Sequence, residues 1–270
     1  MSRIGSKFAR LKLSSRGGFI PFVTAGDPDI ETSEALVIAL AELGADVIEL
    51  GVPFSDPMAD GPVIQASSQR GLAAGTTLGR ILEMVKRVRA RTEVPIVLFS
   101  YFNPLFRYGV ERLADEAAAA GVDGILITDV VDAESDEIRS IFDSRRLDLI
   151  SLIAPTTTDH RLSDICHNAR GFVYAVSRAG VTGASSSASD SAEELVLRAR
   201  QFTELPIAVG FGVSTREHVE KVWRYADAAV VGSAIVSELE GSSDPSDAVE
   251  RLRRFVGGLL PPFAKGLPEN

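Results

Sequence analysis

Glu49 and Asp60, two carboxylates near one short apolar segment, are residue types that suit acid–base chemistry. Glu49 alternates with Ile48 and Leu50, so in an extended strand its side chain lies on the face opposite to theirs. A buried glutamate without a partner is costly to ionise, and its pKa rises toward neutrality. Such a group can act as a general acid or base. The alternative is a core glutamate held in a structural salt bridge.

Asp60 follows in a loop rich in proline and glycine, directly before Gly61-Pro62. Taken alone, it fits the N-cap of a helix as well as it fits a catalytic site. Asp56 is similar, because Ser55-Asp56-Pro57 suits a simple turn.

Two glycine-containing loops near the end of the chain suit phosphate binding. Gly210-Phe211-Gly212 follows one apolar segment, and Gly232-Ser233 follows the next. Glycine lets backbone N–H groups approach a phosphate, and a helix beginning at the second loop adds a favourable dipole. Ordinary turn glycines are the alternative, but the presence of both loops favours a phosphate site.

A third loop, from Ser177 to Ser189, consists mostly of small residues and is expected to act as a mobile lid. Arg178 and Gly183 within it suit an anion-binding surface. A plain flexible linker, with Arg178 in a structural ion pair, is the alternative.

Short apolar segments alternate with amphipathic ones along the whole chain. Continuous apolar character is typical of parallel strands that are buried on both faces. The predicted strands are Phe19–Thr24, Asp46–Leu50, Val94–Tyr101, Gly124–Thr128, Leu149–Ile153, Phe172–Val176, Pro206–Val209 and Ala228–Val231. The predicted helices are Ile30–Leu43, Leu78–Val88, Val110–Ala120, Ala133–Phe142, Arg161–Ile165, Ala192–Phe202, Thr215–Tyr225 and Pro245–Val256, with a short one after the eighth strand.

This strand–helix order predicts an α/β fold, and eight repeats in 270 residues favour a (β/α)8 TIM barrel over an open sheet. No glycine-rich dinucleotide fingerprint follows the first strand. Without a break in composition, we expect a single domain over residues 1–270. Barrel sites lie at the carboxyl ends of the strands, where Glu49 and the loops above converge.

Composition narrows the choice of partners. A net charge of −9 argues against nucleic acid and anionic membranes, and no apolar stretch approaches a membrane span. Cys166 is the only cysteine, and the N-terminus has no signal-peptide pattern, so we expect a cytoplasmic protein. The three histidines do not cluster with carboxylates, and no metal site is expected.

Four segments together resemble the tryptophan synthase alpha subunit family, from about Phe19 to Phe255. They are Ile20-Pro21-Phe22-Val23-Thr24-Ala25-Gly26-Asp27-Pro28, Glu49-Leu50-Gly51-Val52-Pro53-Phe54-Ser55-Asp56-Pro57 with Ala59-Asp60-Gly61-Pro62, Ser177-Arg178-x-Gly180-Val181-Thr182-Gly183, and Gly210-Phe211-Gly212 with Gly232-Ser233. The resemblance implies cleavage of indole-3-glycerol phosphate to indole and glyceraldehyde 3-phosphate.

The resemblance also implies roles for individual residues. Glu49 is the acid–base group, and Asp60 is the partner of the indole N–H. Substrate contacts are implied for Phe22, Tyr174, Thr182, Gly183, Phe211, Gly212, Gly232 and Ser233, with Leu126 and Ile153 as further walls of the indole slot.

The family further implies an α₂β₂ assembly with a beta subunit that carries pyridoxal phosphate, and no cofactor in this chain. Asp56 and its loop are expected near that interface. The chain departs from the family pattern at Val131 and in the Ser185–Ser189 cluster, which bear on lid closure and on communication with the beta subunit.

Three alternatives stay open. One is a stand-alone indole-3-glycerol-phosphate lyase that releases indole. Another is a non-catalytic activator of a beta subunit, although loss of Glu49 or Asp60 would mark such a protein. The last is a general phosphosugar aldolase or isomerase; a Schiff-base enzyme needs a lysine at a strand end, and none of the predicted strands contains one.

Overall fold

Eight parallel strands close into a barrel in the order of the sequence. The computed structural model describes residues 2–130, 134–176, 186–210 and 212–261. The strands are β1 Gly18–Thr24, β2 Ile48–Gly51, β3 Ile96–Ser100, β4 Gly124–Ile127, β5 Asp148–Ile153, β6 Val173–Val176, β7 Ile207–Gly210 and β8 Ala228–Val231. The predicted (β/α)8 barrel is therefore confirmed, and each predicted strand has its counterpart.

Two apolar layers explain why the strands lack a polar face. The inner layer fills the barrel with side chains such as Val47, Val97 and Leu126. The outer layer, which includes Ile48, Leu98 and Ile125, packs against the helices. Because neighbouring residues of a strand point to opposite faces, both layers demand apolar residues and the strands become continuous apolar segments.

The described residues contain twelve helices around and below the barrel. They are α1 Arg3–Leu13, α2 Ile30–Glu42, α3 Pro62–Ala73, α4 Leu78–Val88, α5 Phe102–Tyr108, α6 Val110–Ala120, α7 Glu134–Ser144, α8 Asp159–Asn168, α9 Ser186–Ala199, α10 Arg216–Val222, α11 Ser233–Leu239 and α12 Pro245–Leu259. Helices α4 and α6 have the predicted bounds. Asp29 caps α2 through its side chain, and Gly121 ends α6 in the left-handed conformation.

Helix α1 closes the amino-terminal end of the barrel, opposite to the expected site. Ile4, Phe8 and Leu11 lie on one face of the helix and belong to the inner core. The Phe8 ring lies 5.7 Å from that of Phe172. The barrel is thus filled from below, which leaves the carboxyl ends of the strands as its open side.

Aspartates at the amino-terminal end join neighbouring strands. Asp46 precedes β2, yet its Oδ2 accepts the N–H of Phe19 in β1 at 2.9 Å, and its Oδ1 pairs with Arg16 at 2.5 Å. Asp123 repeats this arrangement with Ile96 of β3 and Arg89. These contacts link β1 to β2 and β3 to β4 at the end of the barrel that does not carry the site.

Candidate active site

Strand β2 places Glu49 inside the barrel, in register with Phe22 of β1 and Val97 of β3. Its side chain is buried, with the residue only 1% exposed. Neither Oε1 nor Oε2 has a hydrogen-bond partner among the described residues. The structural salt bridge, the alternative reading of this residue, is therefore not found in the part of the chain that the structure describes.

Burial without a partner raises the pKa of Glu49 from 4.5 to about 8. The cause is loss of water around the carboxylate, which penalises the charged form. At neutral pH the group is mostly protonated, so it can give a proton to a substrate and later take one back.

Asp60 is not a helix cap. Helix α3 is capped by the backbone of Gly61, with Pro62 in its first turn and no side-chain cap. The loop is instead ordered around Asp60, whose carbonyl accepts the side-chain N–H of Gln65 at 2.9 Å. The carboxylate of Asp60 is therefore not used as a cap of this helix.

The carboxylate of Asp60 accepts a hydrogen bond from Tyr101 Oη at 3.1 Å through Oδ2. Partial burial raises the pKa of Asp60 to about 6, while the bond from Tyr101 lowers it. Asp60 is thus mostly ionised at neutral pH, unlike Glu49. Two carboxylates in different environments are held in different protonation states, which is the arrangement that acid–base chemistry requires.

Tyr101 lies outside the predicted set of site residues. It directly follows β3 and caps α5, and it is buried at 6% exposure. The available signal is its place as the last, polar residue of the predicted strand Val94–Tyr101, which in a barrel faces the open end.

Aromatic rings form the wall of the inner cavity near Glu49. Phe22 meets Phe99 edge to face with ring centres 5.4 Å apart, and Phe99 lies 6.4 Å from Tyr174. Burial raises the pKa of Tyr174 well above its usual value, and the charges of Glu49 and Asp60 raise it further. The structure thus places Phe22, Tyr174 and Glu49 around one cavity, with Asp60 close enough for its charge to act on Tyr174.

Two glycines at strand ends make room for these rings. A Cβ at Gly51 would lie 2.4 Å from Phe22 Cζ, and one at Gly210 would lie 2.1 Å from Tyr174 Oη. Both distances are too short for any side chain, so glycine is required for the rings to occupy the cavity.

The two glycine loops follow the adjacent strands β7 and β8. Gly212 has a left-handed φ of 76° and is exposed, with open space at its Cβ position. Gly232 is the N-cap of α11, and the exposed Ser233 is the first residue of that helix. A Cβ at Gly232 would lie 3.5 Å from Phe22 Cβ, so this loop borders the aromatic wall. Phe211, Val131 and residues 177–185 of the predicted lid, which include Thr182 and Gly183, lie outside the described residues. Residues 186–189, the end of the predicted lid, belong instead to helix α9.

One predicted wall residue is misplaced by a single position. Leu126 belongs to the inner core, but Ile153 packs in the outer layer against the helices. Its neighbour Leu152 packs against the inner core instead. In a strand that is apolar on both faces, the residue types do not reveal which face is inside.

The described residues contain no group of three metal-binding side chains. Within the same ranges, no helix is long and apolar enough to cross a membrane.

A closed parallel barrel whose open end presents a buried acid, a half-buried carboxylate and two glycine loops defines a (β/α)8-barrel enzyme with acid–base chemistry. A family model described as "Tryptophan synthase alpha chain" matches residues 8–260. The chain belongs to the tryptophan synthase alpha chain family. This family is that of the lyase subunit that cleaves indole-3-glycerol phosphate in tryptophan biosynthesis.

Curated relatives and solved structures support the same family assignment. The tryptophan synthase alpha chain of Citrifermentans bemidjiense is 50% identical over 98% of this chain and 99% of its own length. That of Geobacter sulfurreducens is 52% identical, covering 89% and 91%. Among solved structures, tryptophan synthase from Mycobacterium tuberculosis matches with a TM-score of 0.87 at 37% identity, covering 96% of each chain. A mutant alpha subunit from Pyrococcus furiosus matches with a TM-score of 0.82 at 41% identity, covering 90% of this chain and 97% of that chain.

Proposed function

We propose that Glu49 and Asp60 carry out the cleavage of indole-3-glycerol phosphate to indole and glyceraldehyde 3-phosphate. The observation that carries this proposal is the carboxyl group of Glu49, buried inside the barrel without a partner and with a pKa raised to about 8. Among the described residues no hydrogen bond engages this group, so its proton is available to a bound substrate.

Glu49 acts first as an acid and then as a base. It donates its proton to C3 of the indole ring, which makes the ring an electron acceptor. The resulting carboxylate then takes the proton of the glycerol hydroxyl, the bond between C3 and the side chain breaks, and its electron pair returns to the ring. Glu49 ends protonated again, so the proton balance closes without another reactant.

Asp60 stabilises the positive charge that develops on the ring nitrogen during this step. Its carboxylate accepts the indole N–H and is ionised at neutral pH, because its pKa is about 6. A fixed negative charge near a developing positive one lowers the barrier to bond cleavage.

The remaining site residues bind the substrate. Phe22 and Tyr174 border the ring, while Gly212, Gly232 and Ser233 lie at the loops that suit the phosphate. Thr182, Gly183 and Phe211 are assigned to the same contacts by their resemblance to the family alone.

The reaction as proposed needs only proton transfers by side chains of this chain, so we assign it no cofactor of its own. Pyridoxal phosphate belongs to the proposed beta partner. A single buried cysteine suits a reducing compartment, and we place the reaction in the cytoplasm.

We propose that the beta subunit docks on the carboxyl-end surface beside β2 and β3, in an α₂β₂ assembly. Met58, in the loop after β2, is 91% exposed, and Phe106 of α5 is 65% exposed. The loop after β2 contacts the start of α5, because the ring of Phe54 in that loop lies 5.3 Å from the ring of Tyr101, which directly precedes α5. Single exposed apolar side chains are ordinary on protein surfaces, so the resemblance to the family supplies the partner and these residues supply its proposed location.

Co-purification with a beta subunit tests this docking. Met58→Asp should weaken the complex, because it places a charge within the apolar contact. Stable association that Met58→Asp leaves unchanged would refute the location of the interface, and absence of any association would favour the stand-alone lyase.

Indole release from indole-3-glycerol phosphate tests the catalytic roles. Glu49→Gln should lose at least about a hundredfold in rate, the usual scale for an acid–base group. Glu83→Gln is a suitable control, because Glu83 is exposed on the outer face of α4. A Glu49→Gln variant with near-normal activity would overturn the mechanism, whereas a wild-type chain without lyase activity would favour the non-catalytic activator.

A further inference from the structure

The phenol of Tyr101 makes two contacts with the loop that carries Asp60. Its oxygen accepts the backbone N–H of Ala59 at 2.9 Å, and it bonds Asp60 Oδ2 at 3.1 Å. A backbone N–H can only donate, so it takes a lone pair of the phenol oxygen. The phenol proton is thereby directed to the carboxylate of Asp60.

The ring of Tyr101 is itself firmly held. It is buried, follows directly on β3, and packs against Phe54. A donor fixed to the barrel therefore reaches across to a carboxylate on a neighbouring loop. Among the described residues, no hydrogen bond reaches the other carboxylate oxygen, Oδ1, which leaves it for a ligand.

We propose that Tyr101 is a positioning residue that holds Asp60 ionised and oriented, with Oδ2 bound to the phenol and Oδ1 presented to the indole N–H. This inference rests on the proposed function, because it assigns to Tyr101 the control of a group that acts on the substrate. A hydrogen bond to the charged form of an acid favours ionisation, and the bond from Tyr101 lowers the pKa of Asp60 against the effect of burial.

The pH dependence of kcat/KM reports this role. Asp60 must be ionised and Glu49 protonated, so the profile should be a bell between about pH 6 and about pH 8. Tyr101→Phe removes both hydrogen bonds of the phenol, of which one goes to the charged Asp60 and the other comes from the N–H of Ala59. The acidic limb should move up by about half to one pH unit, and the alkaline limb should stay in place. At the optimum, kcat should fall about tenfold with little change in KM, because the charge on the ring develops after binding.

Tyr108→Phe is the matched control. Tyr108 also donates to a carboxylate, that of Glu116, but this pair lies between α5 and α6 on the outer surface. Its removal should leave both limbs unchanged. Tyr101→Phe keeps the ring that packs on Phe54, and the N–H of the exposed Ala59 can bond water once the phenol is lost. Thermal unfolding of both variants should therefore stay close to that of the wild type.

Asp60→Asn separates the inference from the function on which it rests. It should abolish the acidic limb and lower kcat; if it does neither, the proposed role of Asp60 fails. In the Asp60→Asn background, Tyr101→Phe should cost less than about twofold, because the group through which it acts is gone. If Asp60→Asn behaves as expected but Tyr101→Phe leaves the acidic limb in place, or costs the same in both backgrounds, the positioning role of Tyr101 is wrong.

Discussion

Glu49→Gln should make the protein more stable at neutral pH while it removes activity. The pKa of Glu49 is about 8 in the folded chain, against an ordinary value of 4.5. Between these values the folded protein keeps a proton that the unfolded chain releases. The free energy of unfolding therefore falls as the pH rises from about 4.5 to about 8, and changes little outside this range.

The size of the effect follows from the same two values. The interval from 4.5 to pH 7, at about 1.4 kcal/mol for each pH unit, gives about 3 kcal/mol. Glutamine has no charge at any pH and nearly the same shape. Glu49→Gln should therefore be more stable than the wild type by about 3 kcal/mol at pH 7, and about equally stable near pH 4.

Urea unfolding followed by tryptophan fluorescence measures this difference. Trp223 is the only tryptophan, and its indole N–H donates to the carbonyl of Gly18 in β1 at 2.8 Å, so its emission reports on the barrel. Unfolding curves at pH 4, 5.5, 7 and 8 should show a gain that grows with pH.

Asp46→Asn is the control in which the buried carboxylate has partners. Asp46 is equally buried, but its carboxylate is paired with Arg16 and accepts a backbone N–H. Burial raises the pKa of Asp46 as well, so part of the gain from removing a buried charge applies here too. Removal of the charge also breaks the pair with Arg16, so Asp46→Asn should be no more stable than the wild type at pH 7. A Glu49→Gln variant that is no more stable than the wild type at pH 7, or whose gain does not depend on pH, would refute the view that Glu49 is buried without a partner.

Two further substitutions test the glycines at the open end of the barrel. Gly210→Ala should lower the free energy of unfolding by about 1–3 kcal/mol and reduce activity, because the new Cβ would meet the Tyr174 hydroxyl. Gly257→Ala, in open space on α12, should stabilise the protein slightly. Equal melting temperatures for the two variants would contradict this. Gly212→Asp should raise KM by placing a negative charge at the phosphate loop, and Gly212→Asn, which has the same shape without the charge, should raise it much less. An unchanged KM in Gly212→Asp would count against the phosphate assignment.

The strands were predictable because each of them must be apolar on both faces, and a continuous apolar segment needs no long-range information. Three helices were not predicted: α1, α3 and α5. Helix α3 packs through Ser67, Ser68 and Gly71, so it presents small residues instead of an apolar stripe. Helix α5 has only seven residues, too few for a clear period. Only α1 carries a periodic signal, in Ile4, Phe8 and Leu11.

Among the site residues, some positions were likewise predictable from the sequence and others were not. A charge within an apolar strand identifies Glu49 from the sequence alone, because alternation places it on the inner face. The same reasoning fails for Ile153, since β5 carries leucine and isoleucine on both faces and its inward residue is Leu152.

Asp60 shows what only the tertiary structure decides. By sequence it fits a helix cap and an active-site carboxylate equally well. The choice depends on Tyr101, which is distant in the chain but meets Asp60 where the ends of β2 and β3 adjoin. The sequence by itself therefore determines the barrel, the position of Glu49 and the family. The environment of Asp60, and with it the protonation state of the second carboxylate, is decided only when the strands close, because hydrogen bonding and burial depend on contacts between segments far apart in the chain.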